Sequence, residues 1–199
     1  MSSIIDVNKV STKLSAGEKS VEYIDDGMVV GLGTGTTTMF SIQKLGQRMR
    51  NEGMKIVGIP TSEEAASIAQ EAGIPLMSPD QVNEIDVTIA GADEVDCSGN
   101  GIKGTKGALL LEKMVSRISK KTIWVIDETK MVSVLGSVPL PIEVSADGVT
   151  HVLNHINKYI ARAELRVDKN GEVYVTPRKH NFVDIHIEKI HNPEELENT

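Results

Sequence analysis

The stretch MVVGLGTGTTTMFSIQKLGQRMR, Met28 to Arg50, decides the fold. It opens on an apolar run, turns through glycine and threonine, and continues with apolar residues spaced to cover one face of a helix. A buried strand feeding a helix through a Gly-rich junction is the repeating unit of a parallel sheet with helical crossovers. The alternation recurs downstream. KIVGI (55–59), EIDVTIA (84–90) and KTIWVID (121–127) read as further buried strands, with SEEAASIAQEAG (62–73) and GALLLEKMVSRISK (107–120) as helices laid on the sheet.

After Asp127 the texture changes. LGSVPLPIEV (135–144) reads as a Pro-containing extended linker, GVTHVLNHINKYIA (148–161) as a helix, and AELRVD (163–168), EVYVTP (172–177) and FVDIHIEKI (182–190) as strands around a turn at Asn170-Gly171. The expected fold is α/β: an open, mostly parallel Rossmann-like sheet with flanking helices over 1–135, then a small α+β, ferredoxin-like domain over 136–199. NPEELENT (192–199) opens like a helix, with Asn192 as cap and Pro193 in the first position.

Composition narrows the function classes. At 199 residues, 40% hydrophobic and 25% charged, the chain can bury a substantial core, and with two Phe and one Trp that core must be aliphatic. No apolar run approaches the ~20 residues that span a bilayer, and MSSIIDVNKV lacks the regions of a signal peptide, so the expected compartment is the cytoplasm with no membrane partner. Cys97 stands alone, which excludes an intrachain disulfide and a thiolate metal cluster. A net charge of −7 argues against a nucleic-acid surface, so an anionic ligand needs a local cluster of lysines.

Two stretches carry the chemistry. GLGTGTTT (31–38) joins strand to helix, where exposed amides and the hydroxyls of Thr34, Thr36, Thr37 and Thr38 suit a phosphate; a Gly-rich turn can also need glycine only for its dihedrals. A dinucleotide is disfavoured because Thr36 stands where the fingerprint wants its third glycine, and no acid ends the next strand. The second stretch is IAGADEVDCSGNGIKGTKGALLLEKMV (89–115). It delivers Asp93, Glu94 and Asp96 to the carboxyl edge of the sheet, returns Lys103 and Lys106 toward it, and continues into a helix bearing Glu112. Singly such charges are usually solvated, but carboxylates, lysines and a phosphate-type turn converging on one crevice point to a ligand.

GLGTGTTT, PTSEEA, GADEVD, IKGTKGALLLEKMV, VIDETK and LGSVPLPIEV, in this order and spacing, resemble type A ribose-5-phosphate isomerase from about Lys13 to Pro193. The resemblance implies a metal-free, cofactor-free interconversion of ribose 5-phosphate and ribulose 5-phosphate through an enediolate, in a homodimer or homotetramer. It assigns Glu112 as general base between carbons 1 and 2, Lys103 to the developing oxyanion, and Asp93 to hydroxyl protons and ring opening. Thr34, Gly35, Thr36, Thr37, Lys130, Lys13, Gly91 and Lys106 correspond to substrate and phosphate contacts. Thr61 and Ser62 fit either the lining or a helix cap.

The chain departs from the family's pattern in three places. Ala90 stands where the family has the first acid of Asp-Gly-Ala-Asp, which removes a like charge beside Asp93 and lowers the cost of ionising it. Thr105 and Lys106 interrupt a run of glycines, and the chain ends soon after NPEEL, as a truncated or reduced second domain would. A non-catalytic or altered-specificity sugar-phosphate-binding protein of the same fold is the alternative function. A nucleotide-dependent oxidoreductase is the other rival, weakened at Thr36.

Overall fold

The computed structural model describes residues 7–197. The expected end of the chain at Thr199 and the first six residues lie outside it. The described residues divide into two compact units, one from 7–92 and 110–129, the other from 93–109 and 130–197.

The first unit is built on β1 (Val29–Leu32), β2 (Val57–Pro60), β3 (Ile85–Ala90) and β6 (Ser119–Trp124), all parallel in the order β2-β1-β3-β6. Helices α2 (Thr36–Glu52), α3 (Glu63–Glu71) and α4 (Leu109–Arg117) connect them. The two central strands are almost continuously buried, as strands covered on both faces must be. Val30, Leu32, Val87 and Ile89 meet Ile42 and Leu45 of α2 and Ala65 and Ala69 of α3, whereas Ile59 and Ile85 cluster with Val115 of α4. Edge strand β6 carries exposed Lys120 and Lys121, charges that discourage a further strand from pairing.

Helix α1 (Val7–Ser20) has no counterpart in the sequence reading. Its approach to α2 depends on Gly17, where a Cβ would lie 2.7 Å from the Cβ of Phe40 and 2.8 Å from the carbonyl of Thr37.

At the other end of the sheet from the Gly-rich turn, Asp86 accepts from the Val29 amide at 2.9 Å and pairs with Lys120 at 2.8 Å. The hydrogen bond from Lys120, and then the amide, hold this carboxyl below the ordinary carboxylate range. A depressed folded-state value means that the stabilisation is complete above that range and is lost as pH falls through the folded-state value. Asp86→Asn is therefore expected to lower Tm at pH 7, with the difference from the parent closing in paired melts as pH falls below the ordinary carboxylate range.

The second unit holds the hairpin β4 (Glu94–Val95) and β5 (Gly101–Ile102), and an antiparallel sheet of β7 (Leu140–Ser145), β8 (Arg162–Leu165) and β9 (His180–His186) in the order β7-β9-β8. Helix α5 (Val149–Tyr159) sets Ile156, Val152 and Leu153 against Ala163, Val183 and Ile185 of that sheet. A short α6 (Pro193–Glu197) follows, where Asn192 accepts from the Glu195 amide at 3.3 Å.

The sequence reading needs correction at two points. Residues 140–145 are a strand, not linker; Pro141 is tolerated because β7 is an edge and proline has no amide to donate. Residues 172–177 make only single bridges, Val167 to Val173 and Val175 to Asn181, and Val173 and Val175 are exposed, so the alternation does not bury a face. The second unit also takes in 93–109, because Val132 donates to the Val95 carbonyl at 2.9 Å and Gly136 donates to the Glu94 carboxylate at 2.8 Å. Among the described residues no helix is long and apolar enough to cross a membrane.

Candidate active site

In the order β2-β1-β3-β6 the chain leaves β1 toward one side and returns as β3 on the other, so the carboxyl ends of β1 and β3 flank the topological switch point where ligands of open α/β sheets bind. Gly33 makes that end compact. Its amide donates to the Ile89 carbonyl at 2.8 Å, and a Cβ would come within 2.5 Å of the same oxygen. Gly35 follows at φ +124°, a backbone open to glycine, and is the N-cap of α2.

The threonines of this turn have distinct surroundings. Thr34 is buried, its hydroxyl 2.9 Å from that of Thr61 and donating to that of Ser62 at 2.8 Å. Ser62 also accepts from the Ala65 amide at 3.1 Å, so it both caps α3 and holds Thr34. Thr36 is exposed and accepts from Lys13 of α1 at 3.0 Å, a contact that draws Lys13 to the α2 N-terminus. Thr37 is buried, and Thr38 spends its hydroxyl on the Gly35 carbonyl at 2.8 Å. Across the switch point, a Cβ at Gly91 would stand 3.2 Å from the Thr34 carbonyl. The first unit thus brings Thr34, Gly35, Thr36, Lys13 and Gly91 together around a helix start whose amides and dipole favour an anion.

On α4 the adjacent charges Glu112 and Lys113 part company. Glu112, in the first turn, is 4% exposed, while Lys113 faces solvent. An acid sent inward from a short helix next to a solvated lysine is not a surface charge pair.

In the second unit the three acids of GADEVD have separate tasks. Glu94 is buried and accepts from the Gly136 amide. Asp96 closes its own turn by accepting from the amides of Ser98 and Asn100, both at 2.9 Å, and from the Asn100 side chain. These bonds, the Asn100 side chain first, hold its carboxyl below the ordinary range. Asp93 is the acid turned to the lysine loop, where Thr105 donates to it from its hydroxyl at 2.6 Å and its amide at 3.2 Å. Lys103 is 8% exposed at the end of β5, whereas Lys106 is exposed at the tip of the loop. Lys130 closes a short 3-10 turn, Glu128–Lys130, beyond β6, and is half-buried.

The interrupted glycine run fits this loop. Gly104 and Gly107 hold φ of +107° and +83°, and side chains there would meet Leu109 and Pro141, or the Tyr174 hydroxyl at 2.2 Å. Thr105 and Lys106 occupy the exposed positions between them. The support of Asp93 by Thr105 has no signature in sequence spacing, since any short polar residue could stand in an exposed loop. Among the described residues no three His, Cys, Asp or Glu side chains gather as a metal would require.

Residues 57–199 match the family model of ribose 5-phosphate isomerase A (phosphoriboisomerase A). The chain is 51% identical over 176 residues to ribose-5-phosphate isomerase A of Listeria monocytogenes, covering 88% of this chain and 78% of that one. The corresponding protein of Levilactobacillus brevis is 42% identical over 187 residues, covering 94% and 82%. A D-ribose-5-phosphate isomerase solved in complex with phospho-erythronic acid superposes with a TM-score of 0.89 at 37% identity, over 94% of this chain and 83% of that chain.

Proposed function

The chain belongs to the ribose 5-phosphate isomerase A family, and we propose that its chemistry is carried by Glu112, Lys103 and Asp93. The protein is an aldose–ketose isomerase that interconverts ribose 5-phosphate and ribulose 5-phosphate. The reaction moves a proton from carbon 2 to carbon 1 and a hydroxyl proton from O2 to O1, through an enediolate. Glu112 takes and returns the carbon-bound proton. Lys103 offsets the negative charge that develops on the enediolate oxygen. Asp93 handles the hydroxyl protons and the opening of the sugar ring.

The observation that carries this reading is the burial of Glu112 to 4% exposure in the first turn of α4. A carboxylate held inside on a helix is kept in one place to take a proton from carbon and return it. Retention of buried acid and buried lysine also weighs against a binding protein without catalysis. The direct test is ketose formation from a panel of pentose and tetrose phosphates, with phospho-erythronic acid as competitor. Turnover of none of the panel would sink the assignment of these residues.

The phosphate belongs at the turn of Thr34, Gly35, Thr36 and Thr37, with Lys13 as its cation and Gly91 as the close backbone approach; Lys106 and Lys130 are the substrate-contacting lysines of the second unit. Charge-assisted hydrogen bonds are worth roughly 1.5–3 kcal/mol. Lys13→Met and Thr36→Ala are therefore expected to raise the KM for ribose 5-phosphate about 10- to 100-fold, with kcat within about threefold, since the contact is equal in ground and transition states. Parental KM values in both variants would reduce the turn to a structural junction. A homodimeric or homotetrameric assembly in the cytoplasm belongs to the same proposal, and sedimentation of the purified protein tests its first half.

A further inference from the structure

We infer that Arg166 is a positioning residue for the isomerase reaction, acting through Thr105 on the carboxylate of Asp93; the inference rests on the assignment of Asp93 above. Both oxygens of Asp93 are engaged by Thr105, Oδ1 by its hydroxyl at 2.6 Å and Oδ2 by its amide at 3.2 Å. Thr105 is itself exposed, and lies between Gly104 and Gly107, which both stand at positive φ. Its own side-chain packing cannot fix it. What fixes it is the backbone on either side of Thr105, because Arg166 Nη1 donates to the Gly104 carbonyl at 3.3 Å and to the Thr105 carbonyl at 3.4 Å.

Arg166 is in turn held from three directions. Its Nε donates to Asp184 Oδ2 at 2.8 Å, and its Nη2 donates to Asp184 Oδ1. Its guanidinium carbon lies 4.3 Å from the centroid of the Phe182 ring, and its amide donates to the Phe182 carbonyl at 2.9 Å. Asp184 and Phe182 belong to β9, the central strand of the antiparallel sheet. Arg166 and Asp184 side chains are each 15% exposed, so their pairing is little screened by water. The Tyr174 hydroxyl closes over Gly107 from the same sheet region.

A continuous set of contacts therefore runs from β9 through Arg166 and the loop to Asp93. Only a guanidinium fits this post. It forks onto a carboxylate with two nitrogens, stacks on an aromatic face and still has a donor for carbonyls, whereas a lysine has one nitrogen to divide among them. Misplacement of a catalytic group by about 1 Å can cost on the order of 10²-fold, so a support of this kind acts on rate rather than on affinity.

The experiment is steady-state kinetics on full-length Arg166→Met, Thr105→Val, Thr105→Ser and Asp93→Asn with ribose 5-phosphate. Arg166→Met is expected to lower kcat by roughly tenfold or more while KM stays within about twofold. Thr105→Val, an exposed change that leaves the core alone, is expected to lower kcat by about three- to tenfold, and Thr105→Ser to restore it. If Arg166→Met only lowers the melting temperature, with kcat and KM of the folded enzyme at parental values, and Thr105→Val matches the parent, the inference is overturned: Arg166 then merely fastens the sheet. An inactive Asp93→Asn beside that result would overturn the inference alone. Parental turnover in Asp93→Asn would bring down the assignment of Asp93, and the inference with it.

Discussion

Glu112→Gln is expected to lower kcat on ribose 5-phosphate by about 10²–10⁴-fold or more while leaving substrate binding nearly unchanged. The amide matches the carboxylate in shape and fits the same buried position, where the residue is 4% exposed. It can still hydrogen-bond, but it cannot take a proton from carbon. Two measurements separate loss of the base from loss of the fold. Calorimetric titration with ribose 5-phosphate should give parental affinity, and incubation in deuterated water should show no label entering carbon 1 or 2. Glu112→Asp supplies a graded control, since withdrawing the carboxylate by one methylene, roughly 1 Å, is expected to cost on the order of 10²-fold. Label exchange at the parental rate in Glu112→Gln would remove this residue from the base role and leave the family membership untouched.

The parts legible in the sequence are those that depend on local pattern. The strand-turn-helix of Met28 to Arg50 reads correctly because burial on both faces demands continuous apolar runs and the turn demands glycine at Gly33 and Gly35. The candidate charges can be named for a different reason: their order and spacing resemble the family's pattern. Errors arise where a distant partner decides the outcome. Residues 140–145 look like linker because two prolines flank Leu140, and only pairing with β9 makes them a strand. Helix α1 escapes notice because its polar residues reach out to α2 through Gly17 and the Lys13–Thr36 contact, which no window within 7–20 contains.

Burial was illegible for the same reason. Glu112 and Lys113 are indistinguishable as neighbouring charges, and only the packing of α4 on its sheet turns one inward. The departures from the family pattern resolve unevenly. Thr105 and Lys106 stand where the loop leaves room, between the two glycines whose φ requires them. Ala90 is 1% exposed at the end of β3, its carbonyl accepting from the Val125 amide at 2.8 Å, so its methyl serves the packing of the strand end.

Lys103→Met should produce the second large effect, a fall in kcat of about 10²–10³-fold with a smaller change in KM. The replacement is close in length and apolar, so the 8%-exposed position can still be filled. What disappears is a cation. A lysine is seldom buried unless its charge is used, because desolvating an ammonium is costly. A desolvated ammonium acts strongly on charge that develops nearby, since little water is present to screen it, and the enediolate oxygen gains such charge only as the carbon proton leaves. The benefit therefore falls on the transition state and appears in kcat. Lys106, three residues on and exposed, provides the contrast within one loop. Its field is screened by water, so Lys106→Met should leave kcat within about twofold and act through KM for ribose 5-phosphate. Equal losses of kcat in the two variants would mean that the loop contributes only general positive charge. A loss confined to Lys103 would identify burial, not charge alone, as what makes this lysine catalytic.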